Sequence, residues 1–225
     1  MHIGTLKLSN YFNANNRNIT SSQNVQLLPG SYTITLKFEL GIQLAASDIN
    51  LTQNGCTASD KNYLAKLRWA TGNLKSTGST NYIWAPSQTE TGYYYTWYST
   101  YTGNKTTNNT DPCSKLNTAY YGTGWRTPSE NDYIPLSRCT DKVLTNGGMW
   151  FMNKSIGIFL LAAGTIGNGG GSATSNPNYS TAKTGQYWTS KKDGENRGIS
   201  FTFNPSSTFM FSDYQATGIP VRCVK

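Results

Sequence analysis

The stretch Gly124-Trp125-Arg126-Thr127-Pro128-Ser129-Glu130 constrains this chain more than any other. Its residue types specify the start of a helix. Thr127 is a good N-cap, because its hydroxyl can accept from an early orphan amide, and Pro128 falls at the first helical position, where a missing N–H has no consequence. Glu130 stands three residues after Thr127 and can reach back to the cap's own amide, completing a capping box. Tyr133, Ile134 and Leu136 give the helix an apolar face. Pro135 removes a hydrogen bond and clashes one turn back, so a helix of about two turns is expected, ending or kinking near Tyr133–Ile134.

Short strand patterns fill much of the rest. Thr5–Leu8, Val25–Leu28 and Tyr32–Phe38 read as N-terminal strands, too few to bury a core alone. Residues 1–45 are therefore expected to be the end or remnant of a β-sandwich, and 46–225 the main domain, with Ala45–Gly55 a polar linker. Thr57–Leu67 reads as a helical turn leading into a strand at Leu67–Ala70, and Cys113–Ala119 as a short helix capped by Asp111 with Pro112 at its start. Met149–Phe151, Ile158–Leu161, Gly185–Ser190, Ile199–Phe203, Phe209–Phe211 and Val221–Val224 read as strands. Tyr93–Tyr98 reads as another, with Tyr94, Thr96 and Tyr98 on one face. Gly167–Gly171 opens a long loop. Many short strands, two short helices and long loops define an α+β fold.

Four cysteines, Cys56, Cys113, Cys139 and Cys223, lie far apart without a Cys-x-x-Cys pair. An even count in a Tyr- and Asn-rich chain of few charges fits two disulfides in an oxidising compartment, with three pairings open. Met1-His2-Ile3-Gly4 lacks the basic and apolar regions of a signal peptide, and the chain is read as a fragment of a longer protein. The longest apolar stretch, Ile156 to Ile166, is about half the length of a membrane-spanning helix and reads as a buried strand.

The helix start has a counterpart at the other terminus, Gly218-Ile219-Pro220-Val221-Arg222-Cys223-Val224-Lys225. Trp69–Lys75 and then Asp111-Pro112-Cys113 stand ahead of the helix start, and Gly148-Met149-Trp150-Phe151, Ile158–Gly164 and Tyr187-Trp188-Thr189-Ser190 come between it and the terminus. In this order, over residues 56–225, they resemble the Fibrobacter succinogenes major paralogous domain. That family is common as a C-terminal module of Bacteroidetes surface and fimbrial proteins and is similar to the C-type lectin and formylglycine-generating-enzyme folds. The chain departs from its pattern at Thr127, where Leu is usual, at Leu161, where Pro is common, and at Thr189, where Ser is common.

The resemblance implies a C-type-lectin-like domain preceded by strands of a fimbrillin-like sandwich. It implies burial of Trp69, Trp125, Trp150 and Trp188, leaving Trp84 and Trp97 open. It implies that Cys113 pairs with Cys223, which leaves Cys56 with Cys139. The function it implies is that of a non-enzymatic adhesin at the cell surface, the C-terminal module of a fimbrial or pilus-tip subunit. Its partners would be glycan or protein ligands on host or neighbouring cells, and other pilus subunits. A structural pilin subunit and a carbohydrate-active enzyme or accessory module are the alternative readings.

The residues themselves argue against most other chemistry. A formal charge of +8 is spread along the chain, without the basic stripe of a nucleic-acid binder. His2 is the single histidine, which speaks against a histidine triad and a zinc site. The late cysteine of the formylglycine-generating relatives has its counterpart only in Cys223, in the Arg-Cys-Val position implied to be structural. The Glu-Pro-Asn, Gln-Pro-Asp and Trp-Asn-Asp tripeptides of calcium lectins do not occur. Gly167–Gly171 lacks the lysine and hydroxyl residue of a phosphate loop. No metal or cofactor is expected.

The expected binding face lies late in the chain. If Ile199, Phe201 and Phe203 point inward, Ser200 and Thr202 point outward. Polar and charged residues flank this strand, and the candidate ligand-binding set is Lys191, Lys192, Asp193, Arg197, Asn204, Asp213 and Tyr214. The resemblance points to the same region, since late strands and loops form the usual ligand face of lectin-like folds. Lys192, Arg197 and Tyr214 are expected near one exposed surface.

Overall fold

A computed structural model describes residues 41–49, 55–76, 81–100, 107–145, 147–153, 156–166 and 184–225. The expected N-terminal strands and the Gly167–Gly171 loop lie outside these residues. Among the described residues are the helices α1 (Ala58–Leu64), α2 (Thr118–Tyr121) and α3 (Glu130–Cys139). The strands are β1 (Leu74–Ser76), β2 (Tyr82–Trp84), β3 (Tyr94–Tyr95), β4 (Asp141–Thr145), β5 (Gly148–Asn153), β6 (Ile156–Leu161), β7 (Gly185–Asp193), β8 (Arg197–Phe203), β9 (Thr208–Tyr214) and β10 (Ile219–Pro220). All strand pairs are antiparallel, in the orders β1-β2, β10-β3, β4-β5-β6 and β7-β8-β9. The α+β class is as expected, with a third short helix and strands β1, β2 and β4 added. The expected strands at Leu67–Ala70 and Val221–Val224 do not form. Those segments meet only through isolated bridges at Trp69 and Val224, because their backbone pairs with several segments for one or two residues each. No described helix is long and apolar enough to cross a membrane.

The start of α3 differs from the expectation by two residues. Ser129 is the N-cap, and Asp132, not Glu130, accepts from its amide and hydroxyl. Thr127 is engaged elsewhere: its amide and hydroxyl donate to the Asp111 carboxylate at 2.9 and 2.7 Å. The residue before a proline also avoids helical backbone, which holds Thr127 outside the helix. Asp111 meanwhile caps the 3-10 turn Pro112–Lys115 through the Cys113 amide, as expected. The helix then runs through Pro135 to Cys139. The carbonyl that Pro135 leaves without a donor belongs to Asn131, an exposed residue where water can serve. Burial of Tyr133, Leu136 and Cys139 outweighs the lost bond.

The two terminal motifs meet in space. Arg126 and Val224 exchange both backbone hydrogen bonds at 2.9 Å, and Arg68 and Lys225 do the same at 2.7 and 2.9 Å. The C-terminal segment is thus threaded between residues 68–70 and 126. Disulfides join Cys113 to Cys223 and Cys56 to Cys139, the pairing that the resemblance implied. Alternation at the terminus turns Cys223 toward its disulfide and Arg222 the other way, into the core, where it is 0% exposed.

Trp69, Trp125 and Trp188 are buried as expected, and so are Trp84 and Trp97; Trp150 is only half-buried. Tyr93–Tyr98 is not the expected strand. Only Tyr94 and Tyr95 pair, with Pro220 and Ile219, and Tyr94 to Trp97 are all buried. Tyr98 turns the chain with φ 43°. The expected linker Ala45–Gly55 is partly core: residues 40–225 form one compact unit, Ala46–Asp48 is a 3-10 turn, and Ile49 packs into the main apolar cluster, as do Ile42 and Leu44 just before the linker.

Candidate functional site

Strands β7, β8 and β9 carry the candidate residues. The β7–β8 register slips between Trp188 and Lys192. At that slip the Ser190 amide leaves the ladder and donates to the Pro128 carbonyl at 2.7 Å. The Thr189 hydroxyl donates to the Ile199 carbonyl at 2.7 Å and accepts from the Lys191 amide. A bulge of this kind bends a strand and re-aims its side chains. Lys191 consequently reaches Glu130 at 2.7 Å, so the helix start and the hairpin are joined twice.

Beyond the bulge, Lys192, Gly198 and Asp213 share one cross-strand row, and Asp193, Arg197 and Tyr214 share the next. Neighbouring rows face opposite sides of a sheet. Arg197 and Tyr214 therefore meet, with the guanidinium 4.2 Å from the ring centroid and one N–H donated to the Ser212 carbonyl at 3.0 Å. Lys192 is adjacent but on the alternate face, with Asp213. Lys191, Lys192 and Asp193 are exposed, as is Tyr214. On the Lys192 side, Gly198 lies so close to Trp97 that a Cβ would come within 2.2 Å of its indole.

Ser200 and Thr202 correct the expected alternation, since both are buried. The reason is that β8 is the middle strand of its sheet and its second face is covered too. Trp188 lies opposite Ser200, fully buried, with its indole N–H donated to the Tyr95 carbonyl at 2.7 Å. The buried hydroxyl is satisfied by Asp213 at 2.9 Å. Gln186 donates to the same carboxylate at 3.1 Å. Burial pushes the Asp213 carboxyl above its ordinary value, and the hydrogen bonds from Ser200 and Gln186 and the charge of Arg197 only partly oppose this.

Asn204 lies at the far end of β8. Its side-chain oxygen accepts from the Ser206 and Ser207 amides at 2.8 Å each, and its own amide donates to the Ser207 carbonyl at 2.9 Å. That turn delivers Thr208 to α3, where its hydroxyl shares a hydrogen bond of 2.5 Å with Ser137. Here a pocket of about 220 Å³ opens, lined by Ile134, Ser137 and Arg138 on the helix side and by Phe201, Thr208, Phe209 and Met210 on the strand side. Sequence reasoning missed it. No pattern in the chain pairs Ser137 with Thr208, 71 residues apart.

The edge strand β9 is the second feature that the sequence did not single out. Phe209 is 40% exposed, Phe211 47% and Tyr214 53%, and Phe209 and Phe211 make an edge-on ring contact at 6.5 Å. No family model matches the chain, and neither a curated protein nor a solved structure does.

Proposed function

We propose that this chain is a non-enzymatic binding module of lectin-like fold that works outside the cell. More particularly, it is the C-terminal module of a Bacteroidetes-like fimbrial or pilus-tip subunit and serves as an adhesin for glycan or protein ligands. The observation that carries the reading is the aromatic exposure along β9. Most tryptophans of the shared motifs are spent on the core, whereas Phe209, Phe211 and Tyr214 face solvent from one strand. Phe209 and Phe211, two residues apart on one face of β9 and in edge-on ring contact, are the kind of surface that anchors a ligand. Tyr214, under Arg197, offers a second aromatic surface on the opposite face. The two disulfides fit an oxidising compartment.

A binding array of glycans and host-cell proteins, probed with the purified chain, tests this reading. Adhesion that disappears in Phe209→Ala/Phe211→Ala/Tyr214→Ala, with melting nearly unchanged, is the expected result. A wild-type chain that adheres to nothing on the array, or a triple variant that adheres as well as wild type, overturns it.

A further inference from the structure

We infer that the pocket between α3 and the start of β9 binds an acidic sugar residue, one whose ring bears a carboxylate. The inference rests on the adhesin reading and names a ligand class for it.

The volume of the pocket, about 220 Å³, falls below the roughly 300–1,000 Å³ of sites for drug-sized ligands. It suits one ring or one side chain. Its walls are mixed. Ile134 and Met210 present apolar surface of the kind that packs on the C–H face of a sugar, over the buried ring of Phe201. Phe201 is itself fixed by stacking on Tyr133 at 4.5 Å, with the rings 2° from parallel. The rim is polar, and its groups come as complementary types.

The Ser137–Thr208 pair is the first. One hydroxyl donates to the other, which leaves the pair one O–H and spare lone pairs. It can therefore give and take a hydrogen bond at one place, which matches a sugar hydroxyl. A carboxylate side chain from a peptide would offer acceptors only.

Arg138 is the second. Its side chain is 51% exposed, and its ion pair with Asp60 is long, 3.9 Å. Asp60 is occupied by the Thr57 amide and hydroxyl at 3.1 and 2.9 Å. A guanidinium presents five N–H donors in a planar fork suited to a carboxylate. A helix C-terminus would ordinarily repel an anion, but here Lys142 answers it. The Lys142 ammonium donates to the Ser137 carbonyl at 3.1 Å, placing a second positive charge behind the pocket.

The test uses the full chain, titrated with methyl β-D-glucuronide, methyl β-D-glucoside and a glutamate-rich peptide while amide chemical shifts are followed. The expected result is saturable binding of the glucuronide, with shifts at Ser137, Arg138 and Thr208. Arg138→Gln should weaken it by about tenfold or more, the loss of a charged hydrogen bond. Thr208→Val should weaken both sugars, and Lys115→Gln, the same charge change on the Pro112–Lys115 turn, should change nothing. Equal binding of glucoside and glucuronide, binding of the peptide alone, or no shift at these three residues overturns the inference. The two readings fail separately: if wild type and Arg138→Gln adhere equally to the array, the pocket is excluded as the adhesion site and the adhesin reading stands, whereas a wild-type chain that adheres to nothing overturns the adhesin reading.

Discussion

Arg222 Nε donates to Asn73 Oδ1 at 2.8 Å, joining residues 149 positions apart in a place that water does not reach. The rest of the guanidinium is held by backbone: the Ala70 carbonyl at 3.1 Å, Phe159 at 3.0 Å and Gln88 at 3.4 Å. These acceptors are neutral, so the buried charge is satisfied by oriented dipoles. Burial lowers the Arg222 pKa from its ordinary value.

Replacing Arg222 by Met keeps much of the volume but strands those acceptors in the core. Each buried group left without a partner is destabilising by about 1–3 kcal/mol, so a total loss of at least about 3 kcal/mol is expected in urea unfolding. Arg222→Lys should recover only part of it, because one ammonium cannot span the fork. A fall in stability of under about 1 kcal/mol for Arg222→Met would show that the anchor is dispensable.

The Cys113–Cys223 bridge closes a loop of 110 residues and Cys56–Cys139 one of 83. In the chain-entropy model each is worth about 4–5 kcal/mol. Non-reducing peptide mapping should recover these two pairs, and Cys113→Ala/Cys223→Ala should lower the melting temperature sharply. A Cys139–Cys223 peptide would contradict the assignment.

Asp132 and Asp213 should respond to pH in opposite directions. At Asp132, burial pushes the carboxyl up, but the hydrogen bonds from Arg126 and from Ser129 outweigh it and hold the value below normal. Its stabilisation is present above the unfolded value of about 3.9 and is lost as pH falls through the lower folded value. At Asp213 the folded value is raised, so stability is fully present below about 3.9 and declines as pH rises through the folded value. In melting curves from acid to neutral pH, Asp132→Asn should remove part of the acid-side loss. Asp213→Asn should instead gain on the wild type as pH rises. Parallel curves for both variants would refute the assignment.

Gly198 has ordinary backbone and is needed for space alone, since its Cβ would strike Trp97 Cδ1 at 2.2 Å. Trp97 is held in place by the 2.9 Å bond from its indole N–H to the Thr189 carbonyl. Gly198→Ala should be destabilising by about 1–3 kcal/mol, as overpacking is. A crystal structure of the variant should show Trp97 displaced; an unmoved indole and unchanged stability would count against this.

By itself the sequence determined the local elements. The strand at Ile199–Phe203, the Asp111-Pro112 cap and the apolar run at Ile158–Leu161 are written in neighbouring residues, and the structure keeps each of these elements. The cysteine pairing was legible only because an ordered set of motifs resembled a family; spacing alone left three choices. Only the tertiary structure decided which face of a strand is solvent. Ser200 and Thr202 have the alternation of an outward face, but Trp188 covers Ser200 and Asp213 satisfies its hydroxyl. The same holds at α3: Thr127 is as good a cap as Ser129, and Asp111, sixteen residues away, takes it out of the helix. The α3–β9 pocket and Arg222's partners exist only where distant segments meet, and local pattern carries no record of a meeting between residues 71 or 149 apart.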